Sequence, residues 1–133
     1  MKTVLFACVH NAGRSQMAAA VFNRLADREK ARAISAGTEP GERVHPEVVT
    51  AMREIGVELE NVKPLKLTED LAARADVLVT MGCGESCPVV PGVVREDWPL
   101  DDPKSKPLER VREIRMEIER RVRLLLIEHG WTR

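Results

Sequence analysis

Apolar positions along this chain change period repeatedly, and each change marks an element. Thr3-Val4-Leu5-Phe6-Ala7 is a short apolar run with β-branched and aromatic members, which predicts a strand. From Gln16 to Ala26, Met17, Val21, Phe22 and Leu25 fall on one helical face. Ala33-Ile34-Ser35-Ala36 predicts a second strand, closed by Gly37. After a loop containing Pro40 and Gly41, a helix is expected from about Pro46 to Ile55, with proline in its first turn and Gly56 as its stop. Val62 to Leu65 fits neither period. Thr68 reads as the N-cap of a short helix opening with Glu69-Asp70-Leu71. Asp76-Val77-Leu78-Val79-Thr80-Met81 has the composition of a buried parallel strand, and Val93 to Glu96 of a weaker one. From about Leu108 to Glu128, Val111, Ile114, Ile118, Val122 and Leu125 draw one long amphipathic helix.

Strands alternating with helices predict an α/β fold, a doubly wound parallel sheet with helices on both faces. Such sheets bind ligands at the carboxyl ends of their strands. The loops after Ala7, Ala36, Met81 and Glu96 then share one rim. No repeat, low-complexity segment or linker interrupts the pattern, so residues 1–133 are expected to form one domain.

Charge removes several function classes. Lys and Arg together number 21, as do Asp and Glu, so no net field draws the chain to nucleic acid or to an anionic membrane. The arginines of the last helix are interrupted by Glu109, Glu113, Glu117 and Glu119 and read as a solvated face. No apolar run approaches the ~20 residues that span a bilayer, and no export signal is visible. A cytoplasmic monomer is expected.

The first loop carries the chemistry. Cys8-Val9-His10-Asn11-Ala12-Gly13-Arg14-Ser15 stands where the first strand turns into the first helix. Successive backbone N–H groups in such a loop form a nest, and the helix N-terminus adds partial positive charge. Arg14 offers a planar fork of donors to a tetrahedral anion. The same field stabilises a thiolate at Cys8, with Ser15 near enough to donate to its sulfur. A thiolate at the floor of an oxyanion pocket attacks phosphate or an anion of similar shape. Gly13-Arg14-Ser15 is not part of a nucleotide-binding loop, because position 14 is not lysine and no glycine stands five residues before Gly13.

The other two cysteines, Cys83 and Cys87, lie in the loop after the Val77–Met81 strand. Three readings are open: a zinc site, inert thiols, or a redox pair. Zinc needs two further ligands, and His10, His45 and His129 form no paired spacing with these cysteines. No metal is therefore expected, and a redox pair is the preferred reading. Between Asp101 and Asp102, the latter is the better candidate acid, since Pro103 holds it extended.

Together these residues resemble the low-molecular-weight protein tyrosine phosphatase family, in its arsenate reductase branch. The resemblance runs through Cys8 to Ala18, Ile34 to Thr38, His45-Pro46, Val79 to Met81 with the paired cysteines, and Trp98 to Pro103. It implies a four-stranded sheet in the order 2-1-3-4. It implies Cys8 as nucleophile, Arg14 as oxyanion clamp, Ser15 as thiolate stabiliser and Asp102 as general acid. Arsenate would be reduced to arsenite by a relay: attack by Cys8, a Cys8–Cys83 disulfide, then a Cys83–Cys87 disulfide. No bound cofactor is implied; an external dithiol, thioredoxin or another redoxin or a low-molecular-weight thiol, would reopen the pair.

Three departures stand out. Gly13 replaces a second loop cysteine, Ala19 replaces an acid that helps bind potassium in some relatives, and only three residues separate Cys83 from Cys87. The short cysteine loop leaves the identity of the donor open. A phosphatase acting on small aryl phosphates or phosphotyrosine is the near rival. The distant one is a non-catalytic zinc- or thiol-based module that senses oxyanions.

Overall fold

The computed structural model describes residues 1–82 and 87–133. Its elements follow in the order β1 (Lys2–Cys8), α1 (Arg14–Leu25), β2 (Ala31–Gly37), α2 (Pro46–Arg53), α3 (Glu69–Ala73), β3 (Val77–Thr80), β4 (Val94–Asp97) and α4 (Leu108–His129). The strands form one parallel sheet in the order β2-β1-β3-β4, as the resemblance implies.

β1 lies inside the sheet. It pairs with β2 from Lys2↔Ala31 to Cys8↔Gly37 and with β3 from Val4↔Val77 to Ala7↔Thr80. Burial on both sides explains its continuous apolar run. Alternate residues serve opposite faces. Val4, Phe6 and Cys8 join the larger core with α1, α2 and α4, while Leu5 and Ala7 join a thinner one with Leu67, Ala72, Leu78 and Cys87. Phe6 anchors the larger core, with its ring 5.5 Å from that of Trp98 and 6.0 Å from that of Phe22.

β2 starts at Ala31, earlier than its apolar pattern suggests, because pairing with Lys2 extends it through exposed Arg32. α1 starts at Arg14, two residues before the first periodic position, with Gly13 as its N-cap. Thr68 caps α3 as expected, its hydroxyl accepting from the Leu71 N–H at 3.0 Å. The segment of no clear period makes a single parallel bridge: Gly37 donates to Leu65 O and Leu67 donates to Gly37 O, both at 2.8 Å. On α4, Arg112 and Arg115 pair with Glu54, and Arg120 and Arg121 with Glu117, as a solvated charged face requires. Among the described residues no helix is long and apolar enough to cross a membrane.

Candidate active site

Cys8 ends β1 and is 2% exposed, and the loop that follows it wraps the start of α1. The carbonyls of this loop are taken up from outside. Cys8 O accepts from Thr38 N at 3.1 Å, Val9 O from Glu39 N at 2.8 Å, His10 O from Gly41 N at 2.9 Å and Ala12 O from His45 N at 2.9 Å. In a planar trans peptide the N–H points opposite to the C=O. Turning these carbonyls outward therefore turns the N–H groups of the next residues inward, which builds the nest. The Asn11 N–H shows the result directly: it donates to Cys8 Sγ at 3.3 Å. Arg14 and Ser15 follow in the first turn of α1, where the helix carries no acidic side chain to compete for its N-terminal field.

A second line of hydrogen bonds reaches the sulfur. Ser15 Oγ lies 2.8 Å from Cys8 Sγ and accepts from Asn11 Nδ2 at 2.7 Å. When Cys8 is a thiolate, its sulfur can only accept, and the Ser15 hydroxyl is the donor in this contact. Asn11 is fully buried and in the left-handed region, φ 50°, which asparagine tolerates better than other side chains. Its Oδ1 accepts from Gln16 Nε2 at 3.0 Å and from Leu65 N at 2.9 Å. One asparagine thus ties the loop to α1 and to the chain beyond β2.

Arg14 is 7% exposed, and its guanidinium is fixed from two sides. Nη1 donates to Leu100 O at 3.0 Å, and Nη2 lies 3.7 Å from Asp102 Oδ2. Gly82 leaves room for it: a Cβ there would sit 2.4 Å from Nη1, and the backbone at φ 98° suits only glycine. The two candidate acids are separated by their partners. Asp101 pairs with Arg110, whose guanidinium holds its carboxyl below the ordinary range. Asp102 faces Arg14 and is kept in place by the Lys104 N–H, which donates to its Oδ1 at 3.0 Å.

At Gly13 the space for a side chain is filled. A Cβ would lie 2.6 Å from Pro103 Cγ and 3.5 Å from His45 Cδ2. Burial pushes the His45 imidazole below its usual range, against the opposing pull of Asp102. Gly37 also lies under the loop; a Cβ there would meet Val9 O at 2.5 Å and Asn11 N at 2.8 Å.

The fold therefore gathers Cys8, Val9, His10, Asn11, Ala12, Gly13, Arg14 and Ser15 in one cradle and adds Asp102. Cys8 is a free thiol, whereas Cys87 is disulfide-bonded. Cys87 is 3% exposed and packs in the thinner core with Ala7 and Ala36, the residues just before Cys8 and Gly37. Cys83 lies outside the described residues. Sequence reasoning missed Gln16, Leu65, Gly82 and His45. Of these, His45 carried a readable signal, as the residue before Pro46 in a segment that bears the resemblance.

Comparison with known proteins agrees with this geometry. A Halobacterium salinarum protein provisionally named an arsenate reductase is 40% identical over 121 residues, covering 88% of this chain and 85% of that protein. The glutaredoxin arsenate reductase of Synechocystis is 34% identical over 129 residues, covering 95% and 97%. The solved thioredoxin-dependent arsenate reductase of Corynebacterium glutamicum superposes with a TM-score of 0.83 at 38% identity. It covers 96% of this chain, which spans 61% of that longer one. Residues 3–130 match the family described as low molecular weight phosphotyrosine protein phosphatase, and the chain belongs to it.

Proposed function

We propose that this protein reduces arsenate to arsenite, with Cys8 as the nucleophile and Cys83 and Cys87 as the pair that receives the oxidation. The observation that carries the reading is the division of the cysteines. The thiol in the oxyanion cradle is free, while Cys87 carries a disulfide. The relay ends in that arrangement.

The electrons balance as follows. Cys8 thiolate displaces an oxygen of arsenate, which leaves as water with a proton from Asp102, and a sulfur–arsenic(V) bond forms. Cys83 thiolate then attacks the Cys8 sulfur. The sulfur–arsenic bond breaks with its electron pair going to arsenic, arsenite departs, and a Cys8–Cys83 disulfide remains. Cys87 thiolate attacks Cys83 and releases Cys8 as a thiolate. An external dithiol reduces the Cys83–Cys87 disulfide by exchange. Relatives named for glutaredoxin and for thioredoxin support a redoxin as that donor, and a reducing cytoplasm as the compartment. A groove of about 600 Å³ lined by Thr38, Glu39, Lys66, Cys87 and Val89 gives the donor an approach.

The cradle serves phosphate as well, so slow hydrolysis of small aryl phosphates accompanies reduction. A phosphotyrosine specificity is disfavoured. The chain has no tyrosine, and its four aromatic residues Phe6, Phe22, Trp98 and Trp131 are all at most 9% exposed, which leaves no ring to wall a phenyl group. The test is a single turnover by fully reduced protein, followed by disulfide mapping by mass spectrometry. One arsenite per chain with a Cys83–Cys87 bridge is expected. All thiols remaining free, with no arsenite formed, would return the protein to phosphatase chemistry. Cys83→Ala and Cys87→Ala should each abolish multiple-turnover reduction while sparing aryl phosphate hydrolysis; equal loss of both activities would make the pair structural.

A further inference from the structure

Glu96, Glu128 and His129 meet although nothing in their spacing announces it. Glu96 stands on β4, and Glu128 and His129 end α4. One ligating atom from each lies within 4.8 Å of the other two. Two of the three side chains are held by indoles anchored in the core. Trp98, 4% exposed, donates from Nε1 to Glu96 Oε1 at 3.2 Å. Trp131, 9% exposed, stacks on the His129 ring with centroids 4.3 Å apart and planes 13° apart. Metal-binding side chains are held in place by outer contacts of this kind.

The electrostatics call for a cation. Five acids elsewhere, Glu54, Glu58, Glu60, Glu117 and Glu119, each meet an arginine. Among the described residues no Lys or Arg forms an ion pair with Glu96 or Glu128, and His129 pairs with neither. Glu128 lies in the last turn of a 22-residue helix, with Glu96 beside it, where the partial negative charge of the helix end repels carboxylates. A divalent ion would answer both the mutual repulsion and the helix end.

We infer that Glu96, Glu128 and His129 form a binding site for a divalent transition-metal ion of the zinc type. The imidazole selects for such an ion over magnesium or calcium, which prefer all-oxygen ligands. Carboxylate oxygen and imidazole nitrogen are both zinc ligands, and three protein ligands leave a fourth position for water. Zinc–ligand bonds of about 2.0–2.2 Å require the three atoms to draw closer than they now stand. Exposed Glu128 would make most of that movement, with His129 held by its stack on Trp131. The bound ion would clamp the end of α4 to the edge strand, and the site shares no residue with the Cys8 cradle.

The test is calorimetric titration of zinc into protein whose free thiols are alkylated, so that cysteine cannot take the metal. Imidazole resonances are followed by NMR in parallel; with three histidines in the chain, assignment is direct. One zinc per chain is expected, with His129 resonances moving and those of His10 and His45 unmoved. Glu96→Gln, Glu128→Gln and His129→Gln should each weaken binding at least about tenfold. Their melting temperatures without metal should match the parent, and zinc should raise the melting temperature of the parent only. Glu128→Gln and His129→Gln change exposed positions, which keeps the test independent of folding. Absent binding, zinc-induced movement of His10 or His45, or variants that bind as the parent does would each overturn the site.

Discussion

Removing Asn11 tests whether one buried asparagine organises both the loop and the nucleophile. In Asn11→Ala, Gln16 Nε2 loses its acceptor inside the core, a deficit of about 1–3 kcal/mol. The Leu65 N–H also loses its acceptor, but at a partly buried position where water can compensate, so about 1 kcal/mol is expected. Holding alanine at φ 50° adds about 1–2 kcal/mol. The total is about 3–6 kcal/mol, a large part of a stability of roughly 5–15 kcal/mol. Ser15→Ala orphans only the Asn11 amide and should cost about 1–2 kcal/mol. The order reverses for activity. Ser15→Ala deletes the hydroxyl aimed at the sulfur, and a hydrogen bond to a charged group of about 1.5–3 kcal/mol corresponds to roughly 10- to 150-fold in kcat/KM. Asn11→Ala frees that hydroxyl to rotate and should reproduce most of the loss. Because both act through one chain of hydrogen bonds, the double variant should lose little more activity than the worse single variant. Urea denaturation followed by tryptophan fluorescence gives the stabilities, and aryl phosphate hydrolysis gives kcat/KM. Additive losses in log kcat/KM, or Asn11→Ala as stable as the parent, would refute the coupling.

Gly82→Ala should leave the far-ultraviolet spectrum unchanged and cut kcat/KM about 10²-fold, because its Cβ would displace the Arg14 guanidinium from the oxyanion; activity near the parent would show that Arg14 adjusts freely. The Glu54 carboxyl is held down to about 2 by hydrogen bonds from Arg112 and then Arg115. A depressed carboxyl contributes its stability above the unfolded value of 4.5 and loses it as pH falls toward 2. The urea midpoint of the parent should therefore exceed that of Glu54→Gln at neutral pH, and the two should converge as pH falls from 4.5 toward 2; parallel curves would refute the assignment.

Much of this fold and site is legible in the chain, and what is not has a physical cause. Strands β1 and β3 lie inside the sheet, so their environment demands unbroken apolar runs, and those runs are visible. The start of β2 was hidden, because Ala31 and Arg32 are strand only by virtue of pairing with Lys2 and Thr3. The Cys8–Ser15 loop reads directly, since one continuous segment carries the inward N–H groups, Arg14 and Cys8. Asp102 could be preferred to Asp101 from its proline; in the fold Asp101 pairs with Arg110 and Asp102 faces Arg14.

What stayed hidden depends on approach between distant segments. Gly37 and Gly82 look like ordinary loop glycines, yet each is required because backbone or guanidinium passes within 2.5 Å of where a Cβ would stand. The same approach explains why a side chain at position 13 would need its neighbours to shift: Pro103 fills that space, 2.6 Å from the Cβ position. Glycine at 13 and Pro103 against it are thus two halves of one packing choice. That choice keeps the loop free of a second thiol, and Asp102, held by its proline, faces Arg14. A loop cysteine introduced at position 13 alone should therefore displace the 102–103 segment and lower aryl phosphate hydrolysis before any new disulfide chemistry is seen.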